Sequence, residues 1–312
     1  MQQKSNSRLS TCHAAAILTA CAAFLVFQYL VVGLTPAHIL IVALFAALYL
    51  AHPFTRKLAI AMLPFIAFAV SYDWMRLWPN YKVNPIDIQP LYEAERNLFG
   101  IAANGEVITP NEFFMEHHHP VADALAGFFY LCWVPLPVAF GLWLFFRGER
   151  RMYARFSLVF LLVNWIGFCG YYIHPAAPPW YAINFGFEPD FSTPGNVAGL
   201  GRFDELIGIP VFNNIYVGNS NIFAALPSLH AAYMLITTIY AVMSRQRWSV
   251  IIVFAIITMG IWWTAVYSCH HYIIDVLLGI ATALVGIALF EQVLMRIPPF
   301  RRFVERFASV IS

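Results

Sequence analysis

Eight apolar stretches joined by mostly short turns constrain this chain more than any other feature. They run at about 14 to 34, 37 to 51, 58 to 73, 122 to 146, 156 to 173, 226 to 243, 248 to 267 and 271 to 294. Each lies near or somewhat below the roughly 20 residues that carry a helix across a bilayer. Hydrocarbon offers no partner for backbone N–H and C=O groups, so a segment inside it must satisfy its own hydrogen bonds. Continuous apolar runs do this as helices. Charged residues make up only 11% of the 312 and apolar ones 61%, whereas about a quarter of a soluble domain is charged. The expected fold is an all-α, polytopic membrane bundle of about eight transmembrane helices.

The basic residues orient it. With both termini cytoplasmic, the inner segments hold Lys4, Arg8, Arg56, Lys57, Arg147, Arg150, Arg151, Arg155, Arg245, Arg247, Arg296, Arg301, Arg302 and Arg306, which is 14 of 18. The outside keeps Arg76, Lys82, Arg96 and Arg202. Basic residues favour the cytoplasmic side, so an even number of spans follows. The N-terminal apolar stretch has no small-residue cleavage site and reads as a retained helix, not a signal peptide.

Two long outer segments stand out, 74 to 121 and 174 to 225. The first has Trp74 and Trp78 at its edge, where amphipathic rings settle at lipid headgroups, and a polar middle suited to a short surface helix. The second is rich in Pro, Gly, Asn and aromatics and is expected to fold over the helix mouths as a cap. The division is then 1–121 for the N-terminal helices and first outer segment, 122–296 for a catalytic membrane core containing loop 174–225, and 297–312 for a basic cytoplasmic tail. Five cysteines, at 12, 21, 132, 169 and 269, show no zinc or disulfide spacing.

The residues suited to chemistry cluster in the last third. Pro227-Ser228-Leu229-His230 opens one apolar segment, and His271-Tyr272-Ile273-Ile274-Asp275 opens another about forty residues later. A His and an Asp four apart share a helix face, where the carboxylate can hold one tautomer and stabilise the imidazolium. That suits a nucleophilic His271, with His230 protonating a leaving oxygen and then deprotonating an acceptor. Asp275 is an intramembrane carboxylate, a functional candidate because burying it unpaired costs several kcal/mol. The bland alternative is a structural His-Asp bond between helices. Ser228 suits an N-cap, with Pro227 in the first turn and amides free to bind an anion. His117-His118-His119 would suggest a metal in isolation, but adjacent residues point apart and a solvated loop tip is the better reading. Asp123 suits the start of a helix.

Pro227-Ser228-Leu229-His230 followed by His271-x-x-x-Asp275 resembles the second and third signatures of the phosphatidic acid phosphatase type 2 superfamily. Tyr171-Tyr172-Ile173-His174-Pro175-Ala176-Ala177-Pro178-Pro179-Trp180-Tyr181, with His270-His271-Tyr272, resembles its inositol phosphorylceramide synthase-like branch. The likeness spans roughly residues 155 to 290. It implies a six-helix phosphatase-type core with extra N-terminal helices, a phosphohistidine on His271, Asp275 as its orienter, and His230 as acid and then base. The superfamily's Lys-x6-Arg-Pro element is absent, and Ala265 stands where an Arg would precede the nucleophile. A diester carries a single negative charge and needs less compensation than a monoester dianion, so the departure leans toward phosphodiester transfer.

The resemblance therefore implies a phosphotransferase moving a headgroup, phosphoinositol for preference, from a phospholipid to a lipid hydroxyl such as that of ceramide or diacylglycerol. The runner-up is a lipid phosphate or polyprenyl pyrophosphate phosphatase using water as acceptor. Neither needs a metal, cofactor or nucleic acid. A transporter or haem bundle ranks lower, because its histidines would sit deep in facing helices. Candidate substrate contacts are Ser228, His174, Arg202, His270, Trp180 and Tyr181, with Arg202 either replacing the missing cations or pairing with Asp204 or Glu205. The expected location is a bacterial inner membrane, with the active site on the extracytoplasmic face.

Overall fold

The computed structural model describes residues 11–218 and 221–312; Lys4 and Arg8, which enter the orientation count, lie outside them. The N-terminal helices α1 (Thr11–Phe27) and α2 (Pro36–Ala51) pack on each other, and no residue of α1 is buried. They are latched to the rest by polar contacts. Trp74 Nε1 donates to Gln28 at 2.9 Å, and His38 Nε2 lies 3.0 Å from Asp73. Trp74, expected at the headgroups, is thus partly engaged inside the protein.

Helices α3 (Pro53–Ala61) and α4 (Leu63–Trp74) form one apolar stretch bent by 43°, and so do α7 (Pro120–Leu131) and α8 (Pro135–Phe146). Pro64 and Pro135 open the second helix of each pair, where a missing N–H and a ring clash break the ladder. Four helical stretches are long and apolar enough to span: Thr11–Val32, Arg150–Ile173, Trp248–Tyr267 and Ile273–Arg296. Counting each bent pair as one span gives up to six. The other two apolar runs form α2, of 16 residues, and α13 (Leu229–Met243), of 15, both short for a straight crossing. The all-α membrane class stands, while the number eight is not established by length and composition.

The first outer segment holds α5 (Gln89–Phe99), a hairpin of β1 (Ile101–Ala103) and β2 (Glu106–Ile108), and α6 (Pro110–Glu116). The hairpin departs from the all-helical expectation. Asn104 and Gly105 turn it with φ of 52° and 85°, as a two-residue primed turn requires. The second outer segment carries α10 (Pro179–Phe185), α11 (Gly201–Ile207) and α12 (Val211–Tyr216).

Helix α9 (Arg150–Ile173) is the centre of the bundle, packing on α4, α8, α13, α15 (Ile273–Ala288) and the C-terminal α16 (Pro298–Val310). Its core face is aromatic: Tyr153, Phe156 and Phe160 are fully buried. Helix α14 (Trp248–Tyr267) packs on α7 and α13. The segment read as a basic tail is amphipathic, burying Val304 and Ala308 while Arg301 and Arg302 stay exposed. Arg155 forks onto Glu291, which also accepts from Tyr240 at 2.5 Å, joining α9 and α13 to the end of the last span.

Candidate active site

At the mouth of α13, Ser228 acts as N-cap, its Oγ accepting from the Ala231 N–H at 3.4 Å. Pro227 therefore precedes the cap and does not sit in the first turn as expected. The Ser228 N–H donates to the backbone carbonyl of Asp275 at 2.9 Å, tying the mouths of α13 and α15 together. Gly279 makes this approach possible: a Cβ there would lie 2.0 Å from the Ser228 carbonyl oxygen.

This junction places His230 Nδ1 2.9 Å from His271 Nε2. On the other side of that ring, His271 Nδ1 lies 3.4 Å from Asp275 Oδ2, close enough to interact yet longer than the roughly 2.7–2.9 Å of a charge-assisted bond. Asp275 also accepts from the Tyr272 N–H at 2.9 Å. The three expected catalytic residues are thus brought together, though not on one helix face. His271 precedes the helix, and Asp275 in its first turn reaches back across the mouth. Tyr130 stacks on His230 with ring centres 4.9 Å apart, and Trp133, at the break between α7 and α8, lies 4.4 Å from it. Burial lowers His271 to about 4, which leaves the imidazole neutral and nucleophilic near pH 7.

Two buried polar side chains from the first outer segment grip the loop that carries His271. Glu95 accepts from the N–H groups of Ile273 and Ile274, at 2.8 and 3.1 Å, so it caps α15 from outside that helix. Burial raises Glu95 to about 7 despite these bonds. Asn111 donates to the carbonyls of Val266 and His271 at 2.9 and 3.0 Å. Sequence reasoning missed both. A Thr109–Glu112 capping box opens α6, but nothing local in the sequence says what Asn111 or Glu95 would touch.

The histidine pair opens on a cavity of about 210 Å³ with walls from the bundle, including Tyr171 and Tyr233, and from the second outer segment, including Trp180, Asn196 and Tyr216. That segment does cover the helix mouths: the Trp180 N–H donates to Cys269 at 3.1 Å and the Gly199 N–H to Ser268 at 3.0 Å. Among the described residues that line the cavity, none is Lys or Arg.

The expected substrate contacts divide. His270 and Trp180 line the cavity. Ser228 is a buried cap, and Tyr181 bonds within its own loop, donating to the Glu188 carbonyl at 2.9 Å and accepting from the Asp190 N–H. His174, half exposed, pairs with Asp87 at 2.8 Å, away from the cavity. Arg202 borders a smaller neighbouring space of about 140 Å³. Its Nε bonds Asp123 at 2.7 Å and its guanidinium lies over Tyr267. Its partner is therefore neither Asp204 nor Glu205, and Asp204 instead accepts from the N–H groups of Phe212 and Asn213. Asp123 does sit in the first turn of α7, and His118 lies 3.4 Å from it. Among the described residues no His/Cys/Asp/Glu group could hold a metal.

A family model described as the PAP2 superfamily matches residues 105–289. The chain is 58% identical over 296 residues to the phosphoinositol dihydroceramide synthase of Bacteroides thetaiotaomicron, covering 95% of this chain and 97% of that one. It is 30% identical over 169 residues to the inositol phosphorylceramide synthase of Candida albicans, covering 52% of this chain and 35% of the fungal one. With the inositol phosphorylceramide synthase catalytic subunit of Saccharomyces cerevisiae it shares 24% identity over 235 residues, 73% of this chain and 55% of that subunit. No solved structure matches.

Proposed function

This chain belongs to the PAP2 superfamily, and we propose that it moves phosphoinositol from phosphatidylinositol to the primary hydroxyl of a ceramide or dihydroceramide. It is an integral membrane lipid phosphotransferase. The observation that carries the reading is the contact between His230 and His271 in a cavity without lysine or arginine among its described lining residues. A phosphodiester monoanion suits such a site better than a monoester dianion.

In the resting site the nucleophilic Nε2 of His271 faces His230 Nδ1, so the donor phosphoryl group must enter between them. His271 Nε2 attacks phosphorus while Asp275 holds Nδ1–H and stabilises the growing positive charge. The P–O bond to diacylglycerol breaks, and His230, made an imidazolium beside the bound phosphodiester anion, gives its Nδ1 proton to the leaving oxygen and becomes the neutral imidazole. A phosphoinositol-histidine remains. His230, now basic, takes the acceptor's hydroxyl proton as that oxygen attacks phosphorus, and the P–N bond breaks to restore neutral His271. Water would divert the intermediate to inositol phosphate, which is a reason for the aromatic cap over the mouth. In this reading residues 122–296 are the catalytic core, 1–121 supply its mount, and 297–312 lie on the cytoplasmic side. The site faces the extracytoplasmic side of a bacterial inner membrane, consistent with the placement of the basic residues.

The test is transfer from labelled phosphatidylinositol in mixed micelles, with and without ceramide. Labelled sphingolipid should form only with acceptor, and His271→Ala should lower turnover by roughly 10³-fold or more while the protein stays folded. Release of inorganic phosphate from phosphatidate, with no lipid product, would refute the reading.

A further inference from the structure

His270 stands next to the nucleophile, is 5% exposed and lines the cavity, yet the reaction steps above do not use it. Its ring stacks on Tyr216 with centres 4.3 Å apart and on Tyr130 at 5.8 Å. Its Nε2 lies 3.0 Å from the Val197 carbonyl. A carbonyl only accepts, so Nε2 carries the hydrogen, and the neutral ring is left with Nδ1 as a bare acceptor. Burial, which lowers His270 to about 3, keeps the ring neutral.

Asn196, adjacent to Val197, lines the same cavity. Its Oδ1 accepts from the Ala198 N–H at 2.7 Å, which fixes the amide so that the NH2 group is left to donate. The Val197–Ala198 peptide ties the two side chains together, its carbonyl accepting from His270 and its N–H donating to Asn196, so the cavity wall carries an acceptor and a donor on one peptide. Phosphate oxygens only accept and have no use for a bare imidazole nitrogen. A hydroxyl both donates and accepts, and two neighbouring hydroxyls can satisfy both groups at once.

We propose that His270 and Asn196 form a hydroxyl-reading subsite that selects a polyol headgroup, one hydroxyl donating to His270 Nδ1 and its neighbour accepting from Asn196 Nδ2. This rests on the phosphotransferase reading and gives the expected substrate contact of His270 a specific partner, the headgroup. Buried polar groups left unpaired penalise a headgroup without hydroxyls, which is how a site built for hydroxyls discriminates strongly.

The test compares kcat/KM for phosphatidylinositol with that for phosphatidylethanol, a phosphodiester donor with no headgroup hydroxyl, using ceramide as acceptor. His270→Phe keeps the aromatic stack and removes the acceptor. Asn196→Asp keeps the oxygen that binds the Ala198 N–H and removes the donors, so it serves if the first variant folds poorly. The preference for phosphatidylinositol should collapse by about 10- to 100-fold in each. A preference that stays at the wild-type value in both variants, with both donors slowing together, overturns the subsite. Absence of transfer from either donor by the wild-type protein refutes the phosphotransferase reading and the subsite with it.

Discussion

A histidine attacks phosphorus only as the free imidazole, and the surroundings of His271 keep it so. Its burial, which lowers it to about 4, carries a pH prediction with a definite sign. Protonation removes the proposed nucleophile, so kcat/KM falls as the pH drops toward about 4, whereas an exposed imidazole would lose activity near about 6.5. A pH profile with labelled donor measures this, and an acid limb centred at 6.5 or above would show that His271 is solvated in the working enzyme. The limb belongs to the His230–His271 pair because the two rings are in contact. At this scale the sequence was most readable for His230, His271 and Asp275, whose spacing carried their association. It was least readable for Arg202. The one arginine of the second outer segment looks like a phosphate ligand until the fold supplies Asp123, 79 residues away in the chain, as its partner.

Helices meeting end to end hold the site, and two of these junctions can be tested. Glu95 caps α15 with both carboxylate oxygens. Glu95→Gln keeps the shape but sets an amide N–H2 against one of the backbone N–H groups, a loss of about 1–3 kcal/mol. A lower thermal midpoint is expected, with kcat falling about tenfold or more and KM changing less, because the loop that carries His271, the proposed nucleophile, loosens while the cavity remains. Equal changes in kcat and KM would argue against that role. Gly279→Ala tests the second junction. Its Cβ would meet the Ser228 carbonyl oxygen, so α13 and α15 must part, at about 1–3 kcal/mol. Turnover should suffer more than stability, since the same displacement separates His230 from His271. Thermal melting beside steady-state rates measures both. Neither junction shows in local pattern. Glu95 reads as a solvated acid on an amphipathic surface helix, and Gly279 as one of 17 glycines, because what each touches lies far away in the chain.

For the whole molecule, the basic residues and the site make one statement about orientation. Loop 174–225 and the mouths of α13 and α15 lie together, and the Arg245–Arg247 turn lies at the opposite end of α13. In a cysteine-free background, Ser192→Cys should react with an impermeant thiol reagent on intact cells, and Gln246→Cys only after permeabilisation. Labelling in the reverse order would place the site on the cytoplasmic side. Composition and apolar run length by themselves determined that this chain is a helical membrane protein, since hydrocarbon leaves the backbone few alternatives. The two histidine motifs determined the family, because the residues of each motif lie close to each other in their own segment. Tertiary structure alone decided where spans bend, which polar groups hold the loop that carries His271, and that no lysine or arginine lines the cavity among its described residues. Those outcomes depend on contacts between segments tens to hundreds of residues apart, whose energy appears only once the helices have packed.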